Sequence, residues 1–305
     1  MGCRGKKTEV VVFYASSLSA VLGDLAEAYQ RQHPQVKIRL EPSGSQVAAR
    51  KVTELGMRPD LVAVADANLL RKMMIPTHSR FNLIFATNEI VLAHKDHSRY
   101  TDQITARNWP ELLTRTDVRL GRADPDTAPI GYLTLMVWQL SEKLGQGEAM
   151  VANLFSRLKE KCAKEHVTQD EAELLALLES RAIDYAFLFR STAEDHRLKI
   201  ISLPEEINLS RPDMAKDYAQ AKVVIRMRQG EGESRIVGAP ITYGVTIPNQ
   251  APHAVEAARF LAFWLGDEGG RHFVRRGFHR LLPARCDPCT DLPKELTLFL
   301  QGPPS

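Results

Sequence analysis

Apolar positions along this chain recur with two alternating periods, and the alternation predicts an α/β fold. Residues 9–14 form a short β-branched run, the pattern of a buried strand. Ala15-Ser16-Ser17 interrupts it, and Leu18, Val21, Leu22, Leu25, Ala28 and Tyr29 then recur on one helical face. That helix is expected to stop near His33-Pro34. Residues 36–40 read as a second strand, and residues 46–55 as a second helix closed by Gly56 and Pro59. Residues 61–64 read as a third strand, with Asp66 placed to cap a helix over 67–74. Three successive strand–helix units predict a parallel sheet with helices on both faces.

The middle of the chain follows the same logic. Residues 85–94 read as one long apolar strand, 109–113 as a short helix and 118–121 as a strand. A Pro/Gly/Asp-rich loop over 122–131 leads into a helix over 132–144. Thr168-Gln169-Asp170-Glu171 reads as a capping box ahead of Leu174, Leu175 and Leu178. Strands are expected at 183–189, 198–203 and 241–248, a polar hairpin-like loop at 229–234, and a helix over 252–265.

Ligands of open α/β sheets gather beyond the carboxyl ends of the strands. Here those ends read Ala15-Ser16-Ser17, Pro42-Ser43-Gly44-Ser45 and Ala65-Asp66, each followed by a helix start. The first turn of a helix has unpaired N–H groups at the positive end of the dipole. Gly44 permits close backbone approach, and Ser43 and Ser45 bring hydroxyl donors. The turn is therefore either a small-anion site or a place where Ser45 simply caps its own helix. Two adjacent Ser-rich strand ends favour the anion.

Enzyme signatures are absent: no dinucleotide G-x-G-x-x-G after a strand, no Walker loop, no G-x-S-x-G elbow and no convincing triad. Neither catalysis nor a cofactor is expected. His94 and His97, three apart where a strand leaves for a loop, face different sides and make a poor metal pair.

Composition narrows the class. The chain has 305 residues, 44% hydrophobic and 25% charged, which allows two domains. A net charge of +3 gives no case for nucleic acid or a membrane surface as partner. No run of about 18 apolar residues is present to span a bilayer. The sequence starts without an apolar signal-peptide core, and Lys6 stands where a myristoylation signal needs Ser or Thr. Gly2-Cys3 and the polar stretch after it resemble the mature start of a bacterial or archaeal lipoprotein. Cys3 is thus either a lipid anchor or part of an ordinary disordered start. Cys286-Asp287-Pro288-Cys289 lacks the second ligand pair of a zinc site and reads as a local disulfide or two free thiols; Cys162 stands alone.

Several ordered segments resemble the molybdate/tungstate-binding proteins of ABC importers, especially the archaeal-type group. They are Ala15-Ser16-Ser17-Leu18; Pro42-Ser43-Gly44-Ser45 with Arg50-Lys51-Val52-Thr53-Glu54-Leu55-Gly56; and Asp60-Leu61-Val62-Ala63-Val64-Ala65-Asp66. Met74-Ile75-Pro76, Asn88-Glu89-Ile90-Val91-Leu92-Ala93, Pro129 with Gly131-Tyr132, Asp184-Tyr185-Ala186-Phe187 and the run from Pro240 to Pro248 continue it. The resemblance spans roughly residues 8–283 and implies a two-lobed class II periplasmic-binding-protein fold. Each lobe would be a mixed, mostly parallel sheet flanked by helices. Residues 8–90 and 241–290 would form lobe one and 91–240 lobe two, with 1–7 a linker or lipid-anchor remnant and 291–305 a tail. Lobes of this kind close over a ligand by hinge motion.

Carried over by position, the resemblance implies Ser17 and Ser45 as hydroxyl donors, with backbone N–H groups around Ser16, Ser45 and Ala65. Thr127, Ala128 and Tyr132 would face the ligand from lobe two, and Tyr243 would touch either the site or only the hinge. One departure stands out. Archaeal-type members carry an Asp before the proline of Pro-x-Gly-Tyr and a Glu two residues before the later Arg-Ser, and these carboxylates expand the metal's shell to octahedral. Here those positions are Ala128 and Leu188, so a tetrahedral oxyanion held only by hydrogen bonds is expected. The implied protein is an extracytoplasmic, monomeric receptor that passes molybdate or tungstate to an ABC permease and touches the membrane only through an anchor. Capture of sulfate or phosphate is the alternative, as is an anion-sensing domain, although only residues 1–7 precede the first strand.

Overall fold

The computed structural model describes residues 7–145, 151–226 and 232–300. Cys3 and the first part of the 229–234 loop lie outside the described residues. The chain divides into two compact units: one built from residues up to Thr87 and from Ile241 onward, the other from Asn88–Pro240.

The first unit begins with β1 (Thr8–Ala15), α1 (Ser19–Gln32), β2 (Val36–Ser43), α2 (Ser45–Thr53), β3 (Leu61–Val64), α3 (Ala67–Met73) and β4 (Phe81–Thr87). β1 pairs parallel with both β2 and β3, so the three strands read from the sequence do form a parallel block. Phe13, Val62 and Val64 pack on Ala48, Ala49, Val52, Leu70 and Met74, which fixes α2 and α3 on one face. The buried Asp60 accepts from the N–H of Val11 at 2.8 Å and of His253 at 2.7 Å, so its charge is met by backbone dipoles.

The second unit contains β5 (Ile90–His94), α4 (Trp109–Leu113), β6 (Leu120–Ala123), α5 (Pro129–Leu144), α6 (Leu154–Lys161), β7 (Val167–Thr168) and α7 (Glu171–Glu179). It continues with β8 (Tyr185–Phe189), α8 (Arg190–Asp195), β9 (Lys199–Ser202), α9 (Ala215–Tyr218) and the pair β10 (Lys222–Arg226) and β11 (Glu233–Val237). Its main sheet runs β7-β6-β8-β5-β9, parallel at the β7-β6-β8 end and antiparallel at the other. Trp109 and Trp138 lie edge-on to Phe187 at 5.4 and 5.7 Å on one face. Leu188 points to the other face, among Val91, Ala93, Leu174, Leu178 and Ile183.

The chain then returns to the first unit with β12 (Thr242–Thr246), α10 (Ala254–Leu265), α11 (Asp267–Arg275) and β13 (His279–Cys289). The completed sheet runs β13-β4-β12-β3-β1-β2, with β12 antiparallel to both β3 and β4. Phe85 packs on Trp264 and Phe273 at 4.9 and 5.3 Å, which seats α10 and α11. A 3₁₀ turn at Lys294–Phe299 buries Leu296 against α10.

Two local expectations are corrected. The run 85–94 is not one strand: β4 and β5 belong to different sheets, with Asn88 and Glu89 at the break. Both are buried. Asn88 donates to Ser191 Oγ at 2.8 Å, Glu89 accepts from Asn208 Nδ2 at 2.6 Å, and Arg190 pairs with Glu89. Buried polar groups are tolerated within an apolar run when each is paired this way. The capping box sits two residues later than read. Asp170 is the N-cap and accepts from Glu173 N at 2.9 Å, while Glu173 accepts from Gln169 N at 2.8 Å.

Cys286 and Cys289 are joined as a disulfide, one of the two states the spacing left open. Cys162 is a buried free thiol, and burial pushes it up to about 12, which keeps it protonated and inert.

Candidate functional site

In the first unit, the carboxyl ends of β1, β2 and β3 are tied together by the serines that the sequence singled out. Gly44 is the N-cap of α2 in extended conformation, and no side chain caps the helix. Ser45 is its first residue, so it does not play the capping role. Its Oγ instead accepts from Ala65 N at 3.1 Å, joining α2 to the end of β3. A hydroxyl that accepts still has its own proton to give, so Ser45 is oriented as a donor. The Ala65 N–H, expected as a direct contact, is the group that orients it.

The first intrahelical bond of α2 runs from Ala48 N to Gly44 O at 2.9 Å, which leaves the N–H groups of Ser45, Gln46 and Val47 ahead of the ladder. Ser43 Oγ is buried with no hydrogen-bond partner among the described residues. Ser16 and Ser17 are exposed in a 3₁₀ turn after β1. Ser16 Oγ donates to Ser43 O at 3.2 Å. Tyr243 is buried, its ring against Phe278 at 5.2 Å, and its hydroxyl lies 3.5 Å from Ser17 Oγ.

In the second unit, the loop after β6 is held from within. Thr127 N and Ala128 N donate to Asp124 O at 3.2 and 3.1 Å, and Asp124 N donates to Thr168 O at 2.8 Å. Asp126 Oδ1 accepts from Arg226 N at 2.8 Å, fastening the loop to β10. Thr127, expected to face a ligand, gives its hydroxyl to Gln169 O at 2.6 Å. Ala128 is the N-cap of α5 and has no side-chain donor or acceptor to offer; Pro129 follows as its first residue. Tyr132 lies half-buried in the first turn. A Cβ on Gly131 would meet Asp124 O at 2.6 Å, so only glycine lets this helix start lie against the loop. Gly131→Ala is therefore expected to cost about 1–3 kcal/mol of stability and to displace the loop, both measurable by thermal melting and amide shifts of residues 124–128.

Ala128 is 7% exposed and Leu188 is 0% exposed. Neither brings a carboxylate to the end of its element. Among the described residues, no group of three or more His, Cys, Asp or Glu is disposed to hold a metal ion. A carboxylate that sequence reasoning treated only as part of a cap does lie nearby. Glu171 accepts from Phe189 N at 3.2 Å and from Thr192 Oγ1 at 3.1 Å. The sequence signal for it was slight: one of three acids, Asp170, Glu171 and Glu173, at a helix start.

The sequence pattern of a family described as bacterial extracellular solute-binding proteins matches residues 10–279. A solute-binding protein of Petrotoga mobilis is 36% identical over 294 residues, covering 96% of this chain and 90% of the relative. The molybdate/tungstate-binding protein WtpA of Thermococcus kodakarensis is 36% identical over 292 residues, covering 88% of this chain and 81% of the relative. The periplasmic molybdate-binding protein of Azotobacter vinelandii superposes with a TM-score of 0.56 at 15% identity, covering 88% of this chain and 98% of the other. That last likeness concerns fold. Both units share the layered, helix-flanked mixed sheets of that structure. Among the described residues, no helix is long and apolar enough to cross a membrane.

Proposed function

The chain belongs to the bacterial extracellular solute-binding protein family, and from that premise we propose that it captures molybdate or tungstate and delivers it to an ABC permease. The observation that supports this most is Ser45. A serine at the first position of a helix, oriented by the Ala65 N–H rather than used as a cap, is a preset donor for an anion. The adjacent Ser17 hydroxyl, with the Tyr243 hydroxyl behind it, extends the same chemistry; Ser16, whose hydroxyl is given to Ser43 O, is proposed to contribute its backbone N–H. From the second unit, Thr127, Ala128 and Tyr132 are proposed as further contacts; the Thr127 and Ala128 N–H groups already donate to Asp124 O, so a bond from either to the anion is shared with that oxygen. The role is binding, without catalysis or a cofactor. The protein acts outside the cytoplasm as a monomer, with Cys3 as its lipid anchor.

With Ala128 and Leu188 in place of carboxylates, the anion keeps its tetrahedral oxygen shell and is held by hydrogen bonds alone. This departure also favours a second reading, capture of sulfate or phosphate, since hydrogen-bond donors act on any tetrahedral anion of matching size. Calorimetry with molybdate, tungstate, sulfate and phosphate separates the readings. Molybdate or tungstate is expected to bind with Kd below about 0.1 mM, roughly 5.5 kcal/mol; if none of the four does, the receptor reading fails. X-ray absorption on the tungstate complex is expected to show a tetrahedral shell, and an octahedral one would contradict the roles given to residues 128 and 188.

A further inference from the structure

The second unit contains a side chain that the proposed function does not use. Glu171 opens α7, and its carboxyl bridges to the junction of β8 and α8 through Phe189 N and Thr192 Oγ1. The residues just before it are bound to the α5 loop: Thr168 O accepts from Asp124 N at 2.8 Å, and Gln169 O from Thr127 Oγ1 at 2.6 Å. Residues 168–171 thus form a short strap. One end holds the loop that precedes Ala128, and the other holds the peptide next to Leu188.

We propose that Glu171 is a positioning residue of the second unit's anion-contacting loop, and that its charge sets how anion affinity varies with pH. This rests on the reading of residues 127–132 as ligand contacts. Both protonation states can keep the strap. The carboxylate accepts both bonds; the neutral acid accepts from Phe189 N and donates to Thr192 Oγ1, whose hydroxyl can accept in turn. What changes is the negative charge left near an anion.

Burial pushes the Glu171 carboxyl up to about 7, against the hydrogen bonds from Phe189 and Thr192; Asp170, one residue earlier, adds to the rise. Among the described residues of the elements packed on α7, two cations occur: Arg122 of β6, which has no carboxylate partner, and Arg190 of α8. β7 and β8 have no charged residue; Arg122 of β6 donates to Ala123 O, and Arg190 of α8 pairs with Glu89 and Glu194. Of the acids of α7 and α8, Glu173 accepts from Gln169 N, and Glu194 pairs with Arg190. Asp195 and Glu179 lie at the far ends of their helices.

A bound dianion favours the protonated carboxyl, so binding takes up protons and weakens as pH rises through about 7. Free-protein stability moves the same way: a carboxyl whose value is raised on folding contributes stability below its ordinary range and loses it as pH rises to about 7.

Isothermal calorimetry with molybdate should give binding about fivefold tighter at pH 6 than at pH 8, the change that about one unit of coupling produces in a group at about 7. Glu171→Gln keeps the strap and removes the charge. It should bind at both pH values with the wild-type affinity of pH 6. Glu171→Ala cuts the strap and should weaken binding at every pH. A Glu171→Gln protein that retains the wild-type pH profile overturns the proposal while leaving the function intact. Amide shifts of the free wild-type protein decide the coupling without any ligand. Residues 127, 128 and 189 should titrate together near pH 7 and stop doing so in Glu171→Gln. Titration confined to residue 189 overturns the proposal even if no oxyanion binds and the proposed function itself falls.

Discussion

Ser45→Ala is expected to weaken oxyanion binding by roughly 1.5–3 kcal/mol, a loss of about ten- to a hundredfold. The hydroxyl is a donor to a charged acceptor in a site with no formal cation among its proposed contacts, so each such bond is stronger than a neutral one. The alanine also frees the Ala65 N–H from its 3.1 Å bond to Ser45 Oγ. That residue is only partly buried, so water can satisfy the group. Folding stability should therefore change by less than about 1 kcal/mol. Calorimetry and chemical unfolding on the same preparation test both halves. Unchanged affinity would reduce Ser45 to a tie between α2 and β3.

Leu188→Ala should show the opposite profile. Leu188 is fully buried among Val91, Leu174, Leu178 and Ile183, and its truncation leaves a cavity on the α7 face of the sheet. The expected cost is about 2–5 kcal/mol of stability, with affinity altered by less than about threefold. The contrast matters because the resemblance read from the sequence implies a metal-binding Glu at this position. If Leu188→Ala lowers affinity steeply while the melting midpoint stays put, the side chain faces the ligand and its assignment to the core fails. The two variants together ask whether binding resides in hydroxyls or at position 188.

Much of this was legible in the sequence where local chemistry decides the outcome. β3 was readable because Leu61-Val62-Ala63-Val64 is apolar throughout and flanked by Pro59 and Asp66, and Asp66 does cap α3 through Asn68 N at 3.0 Å. The serine-rich strand ends were readable because helix starts at strand termini have unpaired donors wherever they occur. What escaped depended on distant partners. The break at Asn88-Glu89 is invisible locally, since the residues that satisfy it, Ser191, Arg190 and Asn208, lie more than a hundred positions on. The direction of the Thr127 hydroxyl depends on Gln169, and the role of Glu171 on Phe189 and Thr192. Helix α11 and strand β13 were not read at all. The first has Gly269-Gly270 in its middle, and the second alternates poorly around Pro283 and Pro288.

The place of β12 has a consequence for biosynthesis. This strand lies between β3 and β4, although some 150 residues separate it in sequence from β4. When the first 87 residues have emerged, β3 and β4 therefore have no neighbour to bridge them, and their edges stay open to wrong partners. The block Asn88–Pro240 is contiguous and can close its own sheet as soon as it is delivered. In the order of emergence from the ribosome, the piece that starts first is completed last.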